Sequence, residues 1–359
     1  MFESMNKLIV FCISLTTSIS LSAQTVVKEP LHTLSGIVND VHVLSGSHNG
    51  GYIAAGTWDK QIVIYKNDSS LKLHKTLSRH MAPITSICFS RDGRLMASGA
   101  SDKTIIVWDS VFNFKKSFEG HSGKVNALLF DPSKRFLISG GDDRQILLWS
   151  IEKGTVVKKV DNQFAVHSFA QSNDLRSLYV AGNEPVIKVY TIGTWQITKT
   201  FLGHTDIVND IDISSNGQYM ISGSNDKTAR IWDLKTGKEI RKLGVECWKI
   251  QAVAFSRDSK YAATGCNDGN IKIWEVETGK LITHIESTGE NIKDLFFSKF
   301  GNQILSAALL RGKTDFGIRV WPTAIVVANL STPSSKTDSV QTSTKQLVKP
   351  IAKPKTSGK

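Results

Sequence analysis

The chain has 359 residues, 40% of them hydrophobic, with eight Trp, four Cys and a net charge of +12 at pH 7. Four cysteines exclude a disulfide-dense scaffold. The charge is no argument for nucleic acid either: residues 329–359 hold six Lys against Asp338, which leaves a mild +7 over the long middle of the chain.

Residues 1–23 read as a signal peptide. Lys7 supplies a charged start, and Leu21-Ser22-Ala23 offers small residues for cleavage before Gln24. The apolar run between them is short and, from Ser14 onward, too polar to span a membrane. The expectation is a periplasmic or secreted product with no transmembrane span after cleavage; an uncleaved anchor is the alternative. Cys88, Cys247 and Cys266 then remain, an odd count that leaves at least one free thiol. Cys88 lies in an apolar strand and reads as a small buried filler. Cys247 and Cys266 fall near the same edge of one repeat and read as two buried thiols, with a bridge as the alternative.

Residues 25–34 resemble the last strand and lead-in of a repeat that has no blade of its own: Leu31-His32-Thr33-Leu34-Ser35 parallels His74-Lys75-Thr76-Leu77-Ser78. The repeats proper are marked by Tyr65, Trp108, Trp149, Tyr190, Trp232, Trp274 and Trp321, at steps of 43, 41, 41, 42, 42 and 47 residues. A carboxylate stands six positions before each: Asp59, Asp102, Asp143, Glu184, Asp226, Asp268 and Asp315. Within the fifth repeat, residues 206–213 alternate apolar and polar as a half-buried strand does. Ser215-Asn216-Gly217, Asn225-Asp226-Lys227 and Lys235-Thr236-Gly237 mark three turns between four strands. Four strands repeated seven times predict an all-β fold: a seven-bladed β-propeller of four-stranded antiparallel blades, spanning residues 24–328. The N-terminal segment closes the ring beside the strand that ends at Trp321, with residues 324–328 as its rival for that place. The seventh repeat carries about five extra residues, so 309–314 should protrude. Residues 329–359, rich in Ser, Thr, Lys and Pro, read as a disordered basic tail.

Gly203-His204, Ser222 to Asp226, and Ile231-Trp232-Asp233 resemble the WD-repeat family, whose units are bracketed by Gly-His and Trp-Asp. In three repeats the His precedes the Trp by 28 positions. The resemblance covers nearly the whole chain after residue 31. It implies a buried structural network in which Asp accepts from His, with Ser and the indole completing the set. The sets are His80, Ser98, Asp102 and Trp108; His121, Ser139, Asp143 and Trp149; and His204, Ser222, Asp226 and Trp232. Such a His–Asp–Ser set is not a hydrolase triad, because the Ser lies on a strand with no nucleophile elbow. The His position holds Ile37, Asn162, Glu246 and roughly Thr288 in the other repeats, so their networks should be incomplete and Glu184→Ala should cost less than Asp226→Ala.

No metal spacing, phosphate-binding loop or nucleophile motif stands out; no catalytic residue and no cofactor is expected. By the same resemblance, one propeller face is the partner-binding surface. Counting from the repeat places His42, Trp58, Lys124, Asn126, Asp142, His167, Asn209, Asn225, Lys249, Gln251 and Lys293 there, with Arg311 and Lys313 on the insertion. Thr85 and Trp248 belong beside them. The opposite face has short turns with little to offer a partner. The expected function is an exported, non-catalytic scaffold for a protein or peptide. The alternative is a binding module for an anionic envelope glycan or polymer. No specific nucleic acid is expected as a partner.

Overall fold

The computed structural model describes residues 25–244, 247–286, 291–298, 301–309 and 317–323. The signal segment, the basic tail, the rival closing strand at 324–328 and insertion residues 310–314 lie outside these, as do Glu246, Thr288 and Asp315. Seven sheets of antiparallel blade strands form a seven-bladed propeller; five hold four strands in chain order, and the sixth and seventh each add a strand from the N-terminal segment. The first strands of neighbouring blades lie side by side around a central channel. Fourth strands such as Thr155–Asp161 face solvent along most of their length, which the Lys-rich patterning of that strand allows.

The core is divided among the blade boundaries. Seven apolar clusters are present among the described residues, each built from two adjacent blades. Val125, Leu128 and Phe130 of blade three pack on Ile105, Val107 and Phe118 of blade two, for example. In five blades the second strand carries a glycine opposite the start of the next blade, which lets the blades approach closely. A Cβ on Gly140 would lie 2.5 Å from Val166 Cγ1, and one on Gly99 2.6 Å from Val125 Cγ1. Every first strand is also bulged near its start; pairing shifts between Val125 and Ala127, between Val208 and Asp210, between Ile292 and Asp294, and likewise in the other blades. A bulge leaves local backbone groups unpaired, and neighbouring blades use them.

Ring closure is by the N-terminal segment, in two pieces. Strand β1 (Thr25–Val27) pairs parallel with Leu281–Ile285 as a fifth strand of blade six. Strand β2 (His32–Leu34) pairs antiparallel with Ile318–Pro322 of blade seven. The expectation that all of residues 25–34 joins blade seven is thereby corrected. The physical reason is at Pro30, which has no N–H for a sheet ladder and breaks the run. On its near side Val27 O accepts from Glu286 N at 2.9 Å and Lys28 pairs with Glu286 at 3.4 Å; on its far side Leu31 N donates to Val320 O at 2.7 Å.

Candidate partner-binding face

The loops that enter each first strand make one face, together with the turns between second and third strands. Side chains fasten those loops to the sheet beneath. In blade two, His80 Nδ1 lies 3.0 Å from Asp102 and Nε2 2.9 Å from Ser98 Oγ, which also accepts from Trp108 Nε1 at 2.9 Å. The same set recurs in blade three, with His121 2.9 Å from Asp143 and 2.6 Å from Ser139, and Trp149 donating to Ser139 at 2.7 Å. In blade five His204 is 2.7 Å from both Asp226 and Ser222, and Trp232 donates to Ser222 at 2.8 Å. Burial raises the Asp226 carboxyl, but hydrogen bonds from Thr228 and His204 outweigh it and bring it down to about 2.

Where the histidine is missing, the loop is fastened another way. Tyr65 donates its hydroxyl to Ser35 O at 2.7 Å in blade one. In blade four Tyr190 donates to Asn162 Oδ1 at 2.8 Å, beside a buried Lys188–Glu184 pair at 2.9 Å. In blade six Cys247 of the entering loop is disulfide-bonded to Cys266 of the second strand, with Cα atoms 6.1 Å apart. The reading of these two as separate thiols is corrected: both lie buried in the boundary between blades five and six, on facing backbone segments. Cys88 is the free cysteine among the described residues, and burial pushes its thiol up.

The bulged position near the start of each first strand lines the mouth of the channel, whose cavity measures ≈ 930 Å³. His42, Asn126, His167, Asn209, Gln251 and Lys293 meet there. Several are engaged in holding the ring. Asn126 Nδ2 donates to Val166 O at 2.8 Å and to Asp142 at 2.6 Å, and Asn209 Nδ2 to Ile250 O at 2.7 Å and to Asn225 at 2.9 Å. Thr85 donates to Val125 O in the same manner. In each case the acceptor is the bulged first residue of the next blade. Lys124 pairs with Asp142 at 3.7 Å. His42 stacks on Trp58 with centroids 5.1 Å apart; burial first, then Lys293 and Lys124, lower its pKa to about 4 against a smaller opposing effect of Asp40. Burial and Lys124 lower His167 too, against Asp142.

Lys249 stands on the rim outside the channel, next to Trp248. Trp248 is 77% exposed and Trp58 54%. Arg311 and Lys313 lie outside the described residues. Three further exposed apolar side chains, Val38, Met81 and Phe164, sit in the entering loops of the same face. Sequence reasoning missed them. Their one signal is an apolar residue in a loop otherwise made of polar and small ones.

A layer deeper, Asp294 accepts from Leu44 N at 2.7 Å and Asp210 from Val253 N at 2.9 Å, again across blade boundaries. Asp212 accepts from Phe255 N at 2.7 Å. Burial lifts Asp210 to about 6, Asp212 to about 7 and Asp294 to about 8, and Asp210 adds to the rise of the other two.

Comparison with known proteins bears on the whole chain. The family profile described as "WD domain, G-beta repeat" matches residues 28–66, 71–109, 112–150, 195–233 and 237–275, over half of the chain. Among curated relatives, "Small ribosomal subunit protein RACK1" of Caenorhabditis elegans is 37% identical over 205 residues, 53% of this chain and 63% of that protein. "U3 small nucleolar RNA-associated protein 21 homolog" of Schizosaccharomyces pombe is 28% identical over 196 residues, 50% of this chain and 22% of that protein. "Ribosome biogenesis protein BOP1 homolog" of Drosophila willistoni is 46% identical over 46 residues, 13% of this chain and 6% of that protein. The chain thus spans less than two thirds of the length of each. The expectation of a periplasmic or secreted product is overturned by these matches, since the relatives are named for ribosomal and nucleolar assemblies of the cell interior.

Proposed function

The chain belongs to the WD-repeat family, and on that premise we propose that it is a non-catalytic scaffold that binds a protein partner through the face carrying Trp58 and Trp248. The setting that its relatives' names suggest is a protein or ribonucleoprotein assembly. One observation carries the choice of face. Val38, Trp58, Met81, Phe164 and Trp248 are exposed in its loops, whereas among the described residues the loops of the opposite face expose Val111 alone of the large apolar side chains. Exposed aromatic and Met side chains above a rigid ring are the anchors from which interfaces draw most of their binding energy. An anionic polymer is less well served, because Lys124 is already paired with Asp142.

The test is capture of partners from a native lysate followed by measured affinities. Trp58→Ala combined with Lys249→Ala is expected to weaken binding by about 2 kcal/mol or more with the melting temperature nearly unchanged. Lys235→Ala combined with Asn216→Ala, on the opposite face, should leave affinity as it is. Loss of binding in the second pair and not the first would mean that the working face is the other one. An affinity that collapses with added salt would favour the anionic polymer instead.

A further inference from the structure

The turns between first and second strands close the other end of the channel. Among the described residues the second residue of each such turn lines that mouth: His48, Arg91, Pro132, Asn173, Ser215 and Arg257. Arg91 and Arg257 come from blades two and six, and His48 from blade one between them. All three are exposed. Among the described residues neither guanidinium has an ion-pair or hydrogen-bond partner. The acids nearest in sequence are engaged elsewhere. Asp92 is held by Lys134 at 2.6 Å and Arg94 at 3.7 Å, and Asp258 accepts from Ser256 Oγ at 2.6 Å and Lys260 N at 3.0 Å. Loss of hydration at the channel mouth first, then the fields of Arg91 and Arg257, lower the pKa of His48, so the two cations and the imidazole share one electrostatic neighbourhood.

We propose that this mouth is an anion site for a compact oligophosphate, held by Arg91 and Arg257 with His48 between them. A guanidinium fork takes two oxygens of one anionic group. Two forks on blades two and six, with blades seven and one between, call for a ligand carrying more than one such group. The ligand must also be short. Deeper in the channel it meets apolar Leu129 and Phe296 and, at the same level of the first strands, Asp212. Outward lie the turn acids Asp174 and Asp258, which would repel an acidic peptide or a nucleic-acid strand crossing the face. A diphosphate or triphosphate fits within those two boundaries. The inference does not rest on the partner-binding reading, which concerns the other face.

Calorimetric titration of the full chain with inorganic tripolyphosphate at fixed ionic strength tests it, with sulfate as comparator. Saturable one-to-one binding is expected, at least tenfold tighter than sulfate. Arg91→Ala with Arg257→Ala should weaken it at least tenfold, and Lys124→Ala with Lys249→Ala should not change it. Should the alanine pair melt early, Arg91→Lys with Arg257→Lys keeps the charge, removes the fork and should still bind more weakly. ATP run in parallel separates the sources: affinity equal to that of tripolyphosphate points to a free oligophosphate, and tighter binding to a nucleotide. No saturable binding, sulfate binding as tightly, or full affinity in the arginine variants would overturn the assignment.

Discussion

Asp226 holds the entering loop of blade five with one carboxylate, which serves His204, Thr228 and the Thr205 N–H together. Asp226→Ala should cost about 1–3 kcal/mol, read as a lower denaturant midpoint at unchanged slope. Glu184→Ala, which sequence spacing ranks as milder, should cost about 3 kcal/mol or more because it leaves the buried Lys188 ammonium, held also by Asn162 O at 3.1 Å, without its counter-charge. Equal or reversed midpoints would contradict this order. The channel acids set a pH dependence of opposite sign to that of Asp226. Unfolded, they ionise near ~4; folded, Asp212 and Asp294 hold protons up to about 7 and about 8. The native state therefore binds more protons across that window, and stability falls as pH rises from 6.5 to 8.5. Asp294→Asn should flatten the decline. Below that range His42, at about 4 when folded, works against this slope without reversing it, since the one proton that the unfolded chain takes up there is outnumbered by those held on Asp212 and Asp294. A denaturation midpoint that climbs between pH 6.5 and 8.5 would show that the channel acids are ionised in the native protein.

At the scale of the strand and loop, each blade needs a fastening, and its chemistry varies. The His–Ser–Asp–Trp sets were legible because four residue types recur at fixed offsets. The substitutes were not. Tyr65 reaches a backbone carbonyl, which no residue type marks, and Cys247 sits one position beyond the vacant histidine place and bonds to a strand residue two beyond the usual Ser position. The rim was legible as a set of positions, but the task of Asn126 and Asn209 in stitching blades together follows from the bulge, which leaves no trace in residue spacing. The disulfide closes a segment with a sequence separation of 19, so Cys247→Ser should lower stability by about 3 kcal/mol. Reductant should do the same to the parent chain and nothing to the variant; a parent indifferent to reductant would exclude the bridge. Alkylation of the native protein should leave Cys247 and Cys266 unlabelled.

For the whole molecule, the ring has no free edge between its first and last blades as long as β2 stays in blade seven. Deleting residues 25–34 should expose that edge. The expected result is loss of amide protection along Ile318–Pro322 and Leu281–Ile285, with concentration-dependent association. Retained protection would assign closure to another segment. The period of the aromatic residues made the blade count readable, while the split of the N-terminal segment over two blades depended on a single Pro. That split also bears on how the chain is made. Residues 25–34 leave the ribosome ahead of every blade, yet their partners at 281–285 and 318–322 emerge only with blades six and seven. During synthesis the early blades can pair internally, but these two strands must wait, unpaired, until the last blades are made. The propeller is therefore most open to misassociation in the interval just before its final strand emerges, when all but one blade is built and both ends of the ring are still bare.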